Sequence, residues 1–391
     1  MFNWKQFCWF NMKGSNGAHM EKRSWLRAFV YRHCIRPHAL SADEKGPRPP
    51  VTAILILSRH PNPTFSYYLE ERIAALANMP VIVRDIGDRL DDIETAGFFV
   101  IICRYIRPWQ LRWLQARRDQ LSGVAYFVDD DVAAVIAGPE ARWYYKWKLF
   151  QMALRPLLRL NPLLTDVWAS TEALAAALAR GSADVTVLPP YPPKVEAQSP
   201  MAADHPGSLT MIYHATAIHR QEHAFLIPII EAAMQRHQNL RFDVIADGAV
   251  AAWWRRAAID KKRLSVRPPL SWSAYVKSSQ EQPADIALVP LLDGQVNNAR
   301  SDTKRIDVVR SGAAAIFSHC AVYQRCAMPG ESHVANTMEA WSAAIDLLVK
   351  SEEIRTAARN ATVNSLDLMR SVTSSTFPDL SFEASAVRRS S

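Results

Sequence analysis

From residue 51 onward the chain alternates short apolar runs with longer stretches of helical pattern. The runs 51–57, 80–84, 98–103, 124–128, 166–169 and 185–188 are rich in Val, Ile and aromatic residues and end in polar or proline-containing segments, so they read as strands. Helical patterns fill the intervals, notably 67–77, 108–118 and 142–160. After a proline-rich and then polar stretch the rhythm restarts, with apolar runs at 209–213, 242–246, 263–266, 286–289, 313–317 and 333–335. Two helical patterns, 338–349 and 352–369, follow. Buried strands separated by helices are the pattern of a parallel sheet covered on both faces. The expected fold is α/β, with two Rossmann-like domains facing across a cleft. Its expected division is an arm 1–50, a first domain 51–190, a linker 191–207, a second domain 208–350, a last helix 351–372 and a tail 373–391.

Composition agrees with two cores. The chain has 391 residues, 49% of them hydrophobic, and its 21% charged residues argue against wholesale disorder. A net charge of +8 suits acidic partners such as nucleotide sugars or anionic lipid, whereas the lack of a dense Lys/Arg block disfavours nucleic acid. The five cysteines, Cys8, Cys34, Cys103, Cys320 and Cys326, have no metal-binding spacing and fit a reducing compartment. No apolar run is long enough to span a bilayer, and the patch 7–10 is too short for a signal peptide, so a cytoplasmic location is expected. The arm, aromatic at Trp4, Trp9 and Phe10 and proline-rich at 45–50, reads as poorly ordered, with Met20 as an alternative start; the serine-rich tail reads as loose.

Candidate chemistry concentrates in 285–318. The run 286–289 closes at Pro290, a loop follows to Arg300, Ser301, Asp302 and Thr303 offer capping groups, and a helical pattern runs from Lys304 to Gly312. Lys304 and Asp307, three apart, share a helix face: either a cation for a diphosphate beside a carboxylate for ribose hydroxyls, or an exposed ion pair. Ligands of such sheets gather at strand ends, which nominates 58–64, Arg104, Asp129, Asp130, Asp131, Ser170 and Thr171. The three aspartates could bind acceptor hydroxyls, hold a cation or act as a base; alternatively they cap a helix. His219 and His223, with His214 nearby, have helical spacing for a metal pair but no acidic third ligand at zincin spacing, so no metal site is expected. Without G-x-G-x-x-G or G-x-S-x-G, no nicotinamide or flavin cofactor and no acyl hydrolysis are expected. The stretch from Arg142 to Leu164, RWYYKWKLFQMALRPLLRLNPLL, is aromatic and basic with no acid, which suits peripheral contact with anionic membrane, while core packing accounts for its leucines equally well.

The run SDTKRIDVVRSG, 301–312, resembles the C-terminal donor motif of GT-B glycosyltransferases, retaining nucleotide-sugar enzymes whose usual form is Ser-x-x-Lys-x-x-Glu-Tyr-x-x-x-Gly. Ser301, Lys304 and Gly312 match; Asp307 stands where Glu is usual, Val308 where Tyr is usual, and Ala299 where many members carry a further Glu. The loop YHATAIHR, 213–220, is similar to the first loop of their donor domain, and VWAST, 167–171, to their V-x-x-S-T segment, with Thr171 also able to cap a helix. The resemblance implies a GT-B fold whose last helix crosses back to the first domain. It implies Arg220 and Lys304 as catalytic cations, Thr216, His219, Asn298, Ser301, Thr303 and Asp307 as donor-binding residues, and Asp129, Asp130 and Asp131 as acceptor-binding residues. The implied activity is transfer of a hexose, with retention, from a nucleotide-diphosphate sugar to a glycan or lipid-linked acceptor in surface polysaccharide biosynthesis. A nucleotide-sugar epimerase and a non-catalytic nucleotide-binding subunit are the alternatives.

Overall fold

β1 (Ala53–Leu57) is buried along its whole length because every side chain is aliphatic and both sheet faces are covered. Its alternation sorts Leu55 and Leu57 to one face and Ile54 and Ile56 to the other. The computed structural model describes residues 35–76, 79–94, 96–179, 185–194, 207–215 and 219–378. β1 is joined by β2 (Val81–Arg84), β3 (Phe98–Cys103), β4 (Leu121–Val128), β5 (Asp166–Ala169) and β6 (Thr186–Val187) in the order β2-β1-β3-β4-β5-β6. A second sheet contains β7 (Leu209–His214), β8 (Leu240–Ile245), β9 (Leu264–Arg267), β10 (Ile286–Val289), β11 (Ala314–Ser318) and β12 (Ser332–Val334), in the order β12-β11-β10-β7-β8-β9. All these pairings are parallel. The expected apolar runs thus became two Rossmann-like sheets.

The two domains share apolar packing. Ile306 and Val309 of the second domain join Ile54, Phe99 and Trp168 in a cluster on one face of the first sheet. Leu366 and Met369 enter the same cluster from the helix Glu352–Ser371, whose earlier Ala358 packs in the second domain. That helix therefore crosses back. Arg370 at its end pairs with Glu71 at 3.1 Å and covers the Tyr191 ring, and beyond it Phe377 stacks on Trp168 at 5.8 Å. Each Ile or Leu buried at this junction contributes roughly 1.5–3 kcal/mol, so the domain arrangement is held by packing as well as by polar contacts.

Several elements differ in extent from the sequence pattern. The helix expected from 67 begins at Pro63, because Asn62 accepts the Phe65 N–H at 3.1 Å and Pro63 occupies the first turn, where its missing N–H costs nothing. The stretch from Arg142 divides into Trp143–Leu149, a π-helical turn Phe150–Leu154 and Leu157–Leu160, with Pro156 at the break. Of the arm, 35–50 lies within the described residues; the Leu40 N–H donates to the Leu164 carbonyl at 2.8 Å and Ala42–Lys45 form a short helix. Most of the linker, 195–206, and of the tail, 379–391, lies outside them.

Candidate functional site

Ligands of open parallel sheets bind beyond the carboxyl ends of strands, where the strand order reverses direction. In the first sheet this switch point lies between β1 and β3, in the second between β7 and β10. Ser58, Arg59, Cys103 and Arg104 leave the first, and His214, Ala215 and Leu291 leave the second; all of them line one cavity of about 500 Å³ between the domains.

The second-domain wall carries the residues of the 301–312 motif. The Lys304 ammonium donates to the His214 carbonyl at 3.0 Å and to Asp307 Oδ2 at 3.3 Å. Asp307 Oδ1 accepts from the Tyr67 hydroxyl at 2.6 Å and from Arg310 at 2.9 Å. Both of its oxygens therefore have protein partners, a first-domain tyrosine among them, and among the described residues Oδ2 accepts from Lys304 alone. Ser301 and Thr303 also line the cavity, Ser301 bonded to the Tyr68 hydroxyl. The helix Lys304–Arg310 has seven residues and no side-chain cap, since Thr303 is already helical and Asp302 turns inward to Arg305 at 2.8 Å. Positive charge on this wall consequently comes from side chains more than from a helix dipole. Ile245, Pro269, Leu270, Trp272 and Tyr275 form an apolar and aromatic flank beside Asp307.

Arg300, a loop residue with no motif of its own in the sequence, reaches His219 at 2.9 Å and Asp130 at 3.7 Å, and so joins both domains. Burial, reinforced by Arg300, lowers the proton affinity of His219 to a pKa of about 4, leaving a neutral ring in the cavity.

On the first-domain wall, Arg104 occupies a left-handed conformation at φ 66°, a strained backbone that aims its guanidinium at Asp129 (3.0 Å), Asp130 (3.2 Å) and Thr64 (3.1 Å). Burial raises the Asp129 pKa against the pull of Arg104. The aspartate trio divides between its two readings: Asp129 and Asp130 face the cavity, whereas Asp131 Oδ1 caps the helix Val132–Ala137 through the Ala134 N–H at 2.9 Å. Thr171 likewise caps the helix Glu172–Leu178 and donates to the Ala299 carbonyl at 2.9 Å.

Other expected site residues lie elsewhere. Arg220 opens the helix Arg220–Arg236, but its guanidinium covers the Trp253 ring at 5.1 Å and does not line the cavity. Asn298 is exposed at the end of the short helix Gln295–Asn298, outside the cavity lining. Thr216 lies outside the described residues. His223 is buried and accepts from Trp254 Nε1 at 2.9 Å, and His214 faces Asp243 at 3.4 Å, so the three histidines do not converge. Among the described residues no cluster of potential metal ligands forms.

No protein-family model matches the chain, and no curated protein matches it. Solved structures do. An O-GlcNAc transferase mutant from Thermobaculum terrenum superposes with a TM-score of 0.51 at 12% identity, over 90% of this chain and 71% of that one. The N-terminal domain of Candida albicans trehalose-6-phosphate phosphatase gives 0.52 at 9% identity, over 87% and 97%. TarM of S. aureus gives 0.48 at 9% identity, over 73% of this chain and 54% of that one, so the chain spans about half the length of TarM. Identities this low speak to architecture alone. With two facing Rossmann-like domains, a cavity at both switch points and a last helix that returns to the first domain, the chain has the GT-B fold.

Proposed function

We propose that the chain is a glycosyltransferase of the hexosyltransferase type, passing a sugar with retention from a nucleotide-diphosphate sugar to a glycan or lipid-linked acceptor during cytoplasmic assembly of a surface polysaccharide. The observation that carries this reading is the interdomain cavity, with Lys304 and Arg300 on one wall and Asp129 and Asp130 on the other. The nucleoside would lie against Trp272, Tyr275 and Leu270, the diphosphate against Lys304 and Arg300, and the acceptor hydroxyl near Asp129 and Asp130. In the reaction the bond between the anomeric carbon and the diphosphate oxygen breaks and the nucleoside diphosphate leaves with the electron pair. The acceptor oxygen bonds to that carbon, and its proton passes to the departing phosphate. Cations preorganised where that charge develops accelerate the step and supply the role a metal would otherwise fill.

The test is a thermal-shift series with nucleoside diphosphates, followed by assay of sugar transfer with and without EDTA. A nucleotide at a hundred times its Kd stabilises by about 2.7 kcal/mol. Transfer that survives EDTA is expected, and absence of stabilisation by any nucleotide overturns the assignment. Ala299 and the protein partners that Asp307 already has favour one second reading, a non-catalytic nucleotide-binding subunit, which binding without turnover would select. Conversion of donor without acceptor would select an epimerase.

Peripheral membrane contact belongs to the same proposal. Trp143, Tyr144, Trp147 and Leu158 are 79%, 54%, 50% and 65% exposed, with Arg155 and Arg159 also at the surface. Lys148 instead turns into the cavity. Among the described residues no helix is long and apolar enough to cross a membrane. Binding to anionic vesicles at low salt, weakening steeply as salt rises, is expected; no binding at low salt removes the contact.

A further inference from the structure

We propose that the first-domain wall of the cavity holds a phosphate group carried by the acceptor, with Arg59 and Lys148 as its ligands; this rests on the donor and acceptor assignment above. Arg59 follows β1 at the switch point and Lys148 enters from the helix Trp143–Leu149, both across the cavity from the wall that carries Lys304. The remaining cation of their wall, Arg104, is engaged by Asp129 and Asp130. Arg59 and Lys148 have no carboxylate partner among the described residues, where the cavity's acids are held by Arg104, Arg300, Lys304 and Arg310. Burial, and then the neighbouring Arg59, Arg107 and Arg104, depress the proton affinity of Lys148, so these cations crowd one another.

An anion relieves such repulsion, and a phosphate can offer each cation a charge-assisted hydrogen bond. A neutral acceptor would instead cover the partly buried Lys148 and the neighbouring Arg59 with a surface that offers no countercharge. The donor diphosphate has its own cations on the opposite wall. The shared chemistry is therefore a phosphate ester, borne either by a soluble phosphosugar or by a lipid.

Titration calorimetry of the full chain at low salt with inorganic phosphate, glucose 6-phosphate and geranyl phosphate, each with and without saturating UDP, tests this. The phosphate ligands are expected to bind with UDP present, and Arg59→Ala and Lys148→Met are each expected to weaken them roughly tenfold or more while UDP affinity stays within about twofold. Arg59 is exposed, so its removal does not threaten folding, and methionine keeps the apolar stem of Lys148. Tighter binding of glucose 6-phosphate assigns the soluble source, and tighter binding of geranyl phosphate the lipid one. Phosphate binding that is absent from the parent, or unchanged in both variants, overturns the proposal. So does displacement by UDP with both variants losing UDP affinity, because the cations then belong to the donor. Phosphate binding lost in the variants of a chain that takes no nucleotide refutes the donor assignment and leaves the phosphate site standing.

Discussion

Replacing Lys304 with alanine is expected to lower kcat roughly 10²- to 10³-fold while changing the KM for nucleotide sugar much less. The Lys304 ammonium is held at the cavity by the His214 carbonyl at 3.0 Å and by Asp307 at 3.3 Å, with 36% of the side chain exposed to a ligand. Charge on the departing diphosphate grows as the glycosidic bond breaks, so a cation there stabilises the transition state more than the bound donor. Asp307 should behave in the opposite way, since ribose hydroxyls change little during reaction. Alanine there would also leave Arg310 buried with no acceptor in place of the oxygen at 2.9 Å, whereas asparagine retains one, so Asp307→Asn is the cleaner variant. It keeps an acceptor for Tyr67 and is expected to raise KM roughly 10- to 100-fold with little change in kcat. Steady-state kinetics of both folded variants decide the matter: parental values in each would make this helix a structural contact between domains and nothing more.

Arg305→Met is expected to cost the fold roughly 3–5 kcal/mol. The Arg305 side chain is 0% exposed, pairs with Asp302 at 2.8 Å and with Glu331, and donates to the Tyr323 carbonyl at 2.9 Å while covering the Phe317 ring at 4.8 Å. Methionine fills much of the volume but strands the buried Asp302 carboxylate and leaves Glu331 to His333 at 3.0 Å and the Met328 N–H at 3.3 Å. Burial already lifts Asp302 to a pKa of about 6 with Arg305 in place. In the variant Asp302, without Arg305, favours the protonated form in the folded state more strongly still. A raised folded pKa makes stability greatest at low pH and erodes it as pH rises through that pKa, so the deficit should grow from about pH 5 to about pH 8. Urea denaturation at both values checks the sign. Adding Asp302→Asn should recover part of the loss by removing the unpaired charge. A deficit independent of pH would mean that lost packing, not charge, dominates. The network also matters to the site, for it ties the loop between Ser301 and Thr303 to Glu331 and so sets where Lys304 begins.

The sheet strands were legible because buried parallel strands are continuous apolar runs, a local signal that survives without tertiary context. The two-domain division, the last helix and the grouping of Ser301, Lys304 and Asp307 followed from the same rhythm and from a short motif. Side-chain direction and long-range pairing were not legible. His219 and His223 share a helix face by spacing, yet one enters the cavity and the other accepts a hydrogen bond from Trp254. Arg220 has the charge expected of a donor-site cation, but its guanidinium lies over Trp253, and Arg300, an ordinary loop residue in the sequence, reaches the cleft instead. Asp129, Asp130 and Asp131 are chemically identical neighbours, and only the start of a helix assigned the third to capping.

The sequence by itself determined two parallel α/β domains and which strand ends could carry chemistry, because hydrophobic periodicity and turn residues act over a few positions. The tertiary structure alone decided the site's composition, because its decisive contacts join residues far apart in the chain. Tyr67 and Asp307 are separated by 240 positions, Tyr68 and Ser301 by 233. The geometry at which two sheets meet through Ile306, Val309, Leu366 and Met369 set which charged groups face each other across the cavity. No local pattern encodes that distance, since it arises from packing two cores against a shared junction.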